Sequence, residues 1–382
     1  MLLLNPYTHD TRVEKEAVSL TDAGYRVTVI AEAGPNLPVE EIRDGVKIRR
    51  VRRPAGMPVL RFFRFRGALL RELRRSRPDV IHAHDTETLQ LAARAANELR
   101  VPFVYDAHDL WLGRQRRGRS RFYWALYRLY YWLIERAYLP RAAAHITVSA
   151  PIASHLERRY HLAPVSVVPN VPDAGLMPAR RSLRDLPGAT DIPPGAPIIL
   201  YIGHVMSGRG VDQLIAAMAD VPGAHLVLLG ADAQAKSVES LATRTGLADR
   251  VHPLQRVDAR DVIDYAADGS IGVSPILPTC LNYRYSLPNK LFQYMAAGIP
   301  VVASNFDQVR VVVEGTGAGR VVDPCDPQAI ALALCELLDD PVALAEAGHR
   351  ARAAIENQYN WGVASAELLR LYERVMAARS AT

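Results

Sequence analysis

Tyr285-Ser-Leu-Pro-Asn-Lys-Leu-Phe-Gln-Tyr-Met-Ala-Ala-Gly-Ile-Pro-Val-Val-Ala-Ser304 reads as a loop, a short helix and a strand, in that order. Ser286, Pro288 and Asn289 favour a turn, the apolar run from Leu291 favours a helix, and Gly298 can stop it. Beyond Pro300, the β-branched pair Val301-Val302 suits a buried strand. A loop that enters a helix this way leaves backbone N–H groups and the positive dipole end free, which makes an anion site. Lys290 stands in the first turn, where the dipole alone favours an acid. A cation there points to a strongly negative ligand such as a diphosphate. The alternative is an ordinary helix end with a solvated lysine.

Outward from this stretch, strand-like and helix-like segments alternate. In the second half, strands at 198–202, 225–229, 250–253, 271–274 and 300–303 are separated by helices at 211–220, 235–246 and 259–267 and by the quoted one. Helices at 326–338, 340–357 and 361–379 follow. In the first half, a strand at 2–4 and a turn at 5–10 lead to a helix at 12–23 and strands at 26–31 and 46–51. Strands at 79–82, 101–105, 145–148 and 165–168 then alternate with helices at 59–77, 86–98 and 150–158. Between the halves, residues 170–197 hold Pro172, Pro178, Pro187, Pro193, Pro194 and Pro197 without periodicity, which reads as an interdomain linker. The α/β pattern predicts two doubly wound Rossmann-like domains facing a cleft, over residues 1–178 and 190–358.

Composition suits a globular enzyme of two domains, with 382 residues, 49% hydrophobic and 23% charged. Cys280, Cys325 and Cys335 lack metal-ligand spacing and read as reduced thiols in a cytoplasmic setting. No run approaches a membrane span, and no signal peptide is evident. Charge is uneven: residues 1–178 carry 28 Lys+Arg against 18 Asp+Glu, and residues 179–382 carry 18 against 22. The basic half fits an anionic small partner or an anionic membrane surface, or reflects a general preference for arginine. Nucleic acid is disfavoured because no stacking platform or binding motif accompanies the charge. The segment 114–141 combines arginines with Phe122, Tyr123, Trp124, Tyr127, Tyr130, Tyr131 and Trp132. It can lie on anionic lipid or pack its rings into the core; Leu126, Leu129 and Leu133 favour packing.

Ligands of open α/β sheets sit beyond the carboxyl ends of the strands. In the first half those ends carry 5–12 (with Asp10 and Arg12), then His84-Asp85, then His108-Asp109. Two His-Asp pairs after neighbouring strands suit recognition of hydroxyls, as in a sugar or polyol. In the second half, Gly203-His204-Val-Met-Ser-Gly208-Arg209-Gly210 follows a strand and opens a helix. Its glycines let backbone approach an anion, and Arg209 offers a fork for phosphate oxygens. It is neither a Walker loop nor G-x-G-x-x-G. With Lys290 it gives two cations on two strand-end loops. No nucleophile elbow, zinc cluster or acidic metal pair is present.

The chain resembles a retaining glycosyltransferase of family four with the two-Rossmann-domain (GT-B) architecture. The marks are Asp10-Thr-Arg-Val-Glu-Lys-Glu-Ala17, His82-Ala-His-Asp85, Tyr105-Asp-Ala-His-Asp-Leu-Trp111, Ile146-Thr-Val-Ser149, Val167-Val-Pro-Asn170, Tyr201-Ile-Gly203 with Arg209-Gly210, and Ser286 to Ser304. The resemblance implies a nucleotide-sugar donor in the second domain and an acceptor in the first, where Asp10, Arg12, Asp85, His108 and Asp109 lie. It implies that Arg209 and Lys290 neutralise the diphosphate with Gly203, His204, Ser286 and the N–H groups around Leu287, Pro288 and Asn289. His84 then contacts the donor sugar, Arg256 and Val257 face the base, and the helix at 361–379 packs back on the first domain. Transfer to a small-molecule, glycan or lipid-linked acceptor is expected to retain the anomeric configuration and to require neither metal nor cofactor. The expected location is the cytoplasm, with peripheral contact at the inner membrane face.

Three positions depart from the family's pattern. Its paired glutamates, with seven residues between them, are Tyr285 and Gln293 here, and the arginine usual in the glycine loop is His204. Gln293 keeps hydrogen-bonding capacity for a ribose but forfeits the charge-assisted strength of a carboxylate. A sugar-nucleotide-binding relative with lost or altered catalysis is therefore a second reading, and an epimerase on the same scaffold a third.

Overall fold

The opening residues Leu2-Leu3 are apolar because they thread the middle of the first sheet. The computed structural model describes residues 1–8, 10–115, 118 and 120–380, so His9, Arg116, Arg117 and Arg119 of the expected turn and basic segment lie outside it. The chain divides into a unit of Met1–Asn170 with Ala364–Thr382 and a unit of Val171–Val363.

In the first unit, β1 (Thr28–Glu32), β2 (Glu40–Arg43) and β3 (Val46–Val51) run in the order β2-β3-β1. The strands β4 (Ile81–His84), β5 (Phe103–Ala107), β6 (Ala144–Thr147) and β7 (Ser166–Val167) are neighbours in sequence order. Leu2 joins the two groups through parallel bridges to Ile30 and Ala83. Among the described residues only β2 pairs antiparallel. The strand order reverses at Leu2, so the loop after it and the end of β4 open at a topological switch point. The helix Thr11–Asp22 starts there, capped by the Asp10 carboxylate, which accepts from the Val13 N–H.

In the second unit, β8 (Ile198–Ile202), β9 (His225–Leu229), β10 (Val251–Leu254), β11 (Ile271–Ser274), β12 (Val301–Ser304) and β13 (Gly319–Val322) form one parallel sheet, ordered β10-β9-β8-β11-β12-β13. Its strands are almost wholly buried, with Ile199, Tyr201, Leu226, Val273 and Val302 in the core shared with helix residues such as Leu214 and Leu334. The order reverses between β8 and β11, again marking a switch point.

Three expectations are corrected. The proline-rich segment is no free linker: Leu183 and Ala189 are buried, and the Leu183 N–H donates to Asp268 Oδ2 at 2.8 Å. The prolines lack helical periodicity because the segment packs as an irregular strap whose N–H groups end on Asp264 and Asp268. The edge strands β2 and β13 and the helix Asp307–Val313 were not foreseen, since each is short and weakly patterned. Finally, the helix Arg121–Tyr138 leaves Leu126, Leu129 and Leu133 about half exposed, against the packing those leucines favoured.

Candidate active site

In the second unit the geometry follows from one tyrosine. Tyr294 lies on the helix Asn289–Ala297, one turn after Lys290. Its hydroxyl accepts from the Ile202 N–H at 2.8 Å and donates to the Val273 carbonyl at 3.1 Å, so it ties the helix to β8 and β11 at the switch point. Its ring fills the space a side chain on Gly272 would need. Lys290 is thereby carried to the end of β8, where its Nζ lies 3.5 Å from the Tyr201 ring centroid and beside Gly203. Gly210 faces Pro275 so closely that a Cβ would stand 1.7 Å from its carbonyl oxygen. This anchors the glycine loop and sets Arg209 over the Tyr283 ring, 4.8 Å from its centroid.

Neither Lys290 nor Arg209 is paired with a carboxylate among the described residues. Lys290 is 9% exposed, and burial followed by the nearby Arg209 charge holds its ammonium well below the ordinary lysine pKa. Two unneutralised cations in a half-closed place are stabilised by an incoming anion. The helix end beside them has Pro288 as its cap with no side-chain hydrogen bond, leaving its first N–H groups for a ligand. Ser286, Leu287 and Pro288 are half-buried there, Asn289 is exposed, and Gln293 lies one turn inward, half-buried. His204 is exposed on the loop after Gly203. Arg256 is exposed and taken up by Asp232, with its Nε 2.7 Å from Oδ2, while Val257 beside it is half-buried.

The first unit gathers a buried polar cluster around Asp106 in the all-buried strand β5. The carboxylate accepts from Arg12 Nε at 3.0 Å and from Nη2 at 2.9 Å. It also lies 3.1 Å from His108 Nε2, which in turn lies 3.1 Å from His84 Nδ1. Burial opposes the charge on Asp106, but Arg12 and His108 overcome it and hold the carboxyl well below the usual range. Burial likewise opposes the charge on His108, and Asp106 and then Asp85 raise it to about 10. Burial lowers His84 to about 4. His84 Nδ1 also lies 3.4 Å from Asp106 Oδ2, and His84 Nε2 is a buried atom with no partner among the described residues.

Glu16, 3.1 Å from Arg12, is fully buried and its pKa is raised well above normal by burial and then by Asp106. Glu16, His82, His84 and Asp106 offer four ligand atoms within 4.8 Å of one another. The cation at that centre is already Arg12.

Among the expected residues, the structure brings together Gly203, Arg209 and Lys290 in one unit and His84, Asp85 and His108 in the other. Asp85 turns β4 into the helix Asp85–Leu99 at φ 61° and accepts the His108 N–H at 3.3 Å. Arg12, expected to face an acceptor, is instead interior, because both Asp106 oxygens take its guanidinium. Asp10 is a helix cap that also accepts from Asn5, and Asp109 is 2.8 Å from Arg114. The sequence reading missed Asp106, Glu16 and Tyr294. An acid inside a buried apolar strand was the signal for Asp106, and the i, i+4 pairing with Arg12 was the signal for Glu16.

The chain matches the profile of Glycosyltransferase Family 4 over residues 11–174 and that of Glycosyl transferases group 1 over residues 196–340. It is 26% identical over 403 residues to a D-inositol 3-phosphate glycosyltransferase of Xylanimonas cellulosilytica, covering 96% of this chain and 90% of that one. It is 27% identical over 395 residues to a phosphatidyl-myo-inositol mannosyltransferase of Mycolicibacterium smegmatis, covering 98% and 93%. Among solved structures, sucrose-phosphate synthase from Thermosynechococcus elongatus superposes with a TM-score of 0.80 at 22% identity, covering 99% of this chain and 98% of that one. The fold is that of the GT-B glycosyltransferases, built from two Rossmann-like units. The chain belongs to glycosyltransferase family 4.

Proposed function

We propose that the protein transfers a sugar from a nucleoside diphosphate sugar to an acceptor hydroxyl, with retention of the anomeric configuration and without a metal. The observation that carries this reading is the half-closed pair Lys290 and Arg209, two cations without a carboxylate at the switch point of the second sheet. They take the charge that develops on the leaving diphosphate, the role a metal has elsewhere. The bond from the anomeric carbon to the phosphate oxygen breaks, the acceptor oxygen bonds to that carbon on the same face, and its proton passes to the departing phosphate. In the first unit, His108, which is half-buried, offers a contact for a hydroxyl or phosphate of an acceptor. Of the sequence relatives named above, one carries inositol 3-phosphate in its name and the other phosphatidyl-myo-inositol, which supports an anionic, polyol-type acceptor.

Incubation with a panel of nucleoside diphosphate sugars and inositol phosphates tests this, with the product followed by proton NMR. Retention predicts the donor's anomeric coupling in the product, and activity unchanged by a chelator. Inverted product or activity restored only by a divalent ion contradicts it. A second reading is favoured by Tyr285 and Gln293: a binder of sugar nucleotides that no longer transfers. Donor binding without nucleotide release in the presence of every acceptor would select that reading.

A further inference from the structure

The first unit carries an apolar surface that the site above does not use. The helix Arg121–Tyr138 has two apolar faces. One turns inward, with Ile134 buried and Trp124, Tyr127 and Tyr131 half-buried. The other carries Phe122, Leu126, Leu129, Tyr130 and Leu133, spaced as one helical stripe and between 42% and 73% exposed. A helix of this kind normally covers its second face with protein.

A second helix extends the surface. Pro58–Ser76 and Arg121–Tyr138 both pack on Asp85–Leu99. Arg66 of the former donates to the Glu87 carbonyl and to Gln90 of that shared helix and feels the charge of Tyr130, Tyr131 and Tyr138 of the latter. Here Phe62 and Phe63 meet edge to face and stand 43% and 64% exposed.

The charges select the occupant. Arg61, Arg64, Arg121 and Arg128 are exposed among these side chains, and none makes an ion pair with a described residue. The acids of the two helices are withdrawn, Glu135 by burial and Glu72 by pairing with Arg49 and Arg75. Rings and leucines bordered by free guanidinium groups match an anionic bilayer surface, with the apolar side chains at headgroup depth and the arginines on lipid phosphates. A second copy of the same face would set arginine against arginine. Among the described residues no helix is long and apolar enough to cross a membrane, so such contact is peripheral.

We propose that this two-helix face docks the protein on membranes containing anionic lipid. The inference does not rest on the donor reading. Cosedimentation of the full chain with vesicles of phosphatidylcholine alone, or mixed with phosphatidylglycerol, tests it. Wild type is expected to pellet with the mixed vesicles only, and salt should release it. The variant Phe63→Ser, Leu126→Ser, Leu129→Ser, Leu133→Ser and the variant Arg61→Glu, Arg64→Glu, Arg121→Glu, Arg128→Glu should each bind roughly tenfold more weakly. Melting temperature serves as the control for folding and holds whether or not nucleotide binds. The second variant changes only exposed charges, so it keeps the test open should the serine variant misfold. Wild type left in the supernatant, equal binding of folded variants, or a dimer that the serine variant dissociates would overturn the proposal.

Discussion

Lys290 rests over the Tyr201 ring with Arg209 as its charged neighbour, and its pKa is depressed first by burial and then by that guanidinium. The group binds fewer protons in the folded chain than in the unfolded one at every pH between its lowered pKa and the ordinary 10.5. Stability without ligand therefore rises with pH through that window. His108 has the opposite sign. Its pKa is raised to about 10, so it contributes stability that is fully present below 6.5 and is lost as pH rises through 10. Asp106→Asn removes the charge, and one of the two acceptor oxygens, that hold Arg12 and His108. It should cost about 3–5 kcal/mol in urea denaturation, as for other buried pairs that lose one member. In histidine nitrogen NMR, wild-type His108 should be doubly protonated at pH 8 and His84 neutral. A neutral wild-type His108 at that pH would contradict the wiring. Lys290 and Arg209 were legible in the sequence because one stands in the first turn of a helix and the other on a strand-end loop, places where an unpaired cation has no structural task. Asp106 was not, because its partner Arg12 lies 94 positions away and only the folded sheet joins them.

The glycine loop between β8 and the helix Val211–Ala217 owes its shape to backbone crowding. Gly210 has φ 72° and no room for a Cβ against Pro275, whereas Gly24 has φ 91° and open space. Gly24→Ala should cost about 1 kcal/mol of backbone strain. Gly210→Ala should cost clearly more and move Arg209, which differential denaturation of the two variants measures; equal losses would show that the loop yields without consequence. Gln293→Glu, one turn inside the helix Asn289–Ala297, should preserve or tighten nucleotide affinity through a charge-assisted bond, and titration of the variant checks it. The parallel strands were legible because strands buried on both faces read as unbroken apolar runs. The proline-rich strap and the aromatic helix were not. In both, composition is compatible with either surface or interior, and tertiary contacts alone decide. The strap found acceptors at Asp264 and Asp268, and the helix found cover for one of its two apolar faces.

At the scale of the molecule, the two switch points carry different chemistry. The first unit holds an interior charge network around Asp106 that ties Arg12, His84 and His108 together, while the second holds two cations in want of an anion. The donor reading ties these facts to one linkage: a diphosphate that settles beside Lys290 must raise its pKa, so binding takes up a proton wherever the free ammonium is deprotonated. Titration calorimetry with uridine diphosphate and guanosine diphosphate, in buffers of different ionisation enthalpy, measures that proton directly. Wild type is expected to bind at least one of them with proton uptake at alkaline pH. Lys290→Ala should bind about a hundredfold more weakly and take up none. Undiminished affinity in Lys290→Ala, with the same proton count as wild type, would contradict the donor reading.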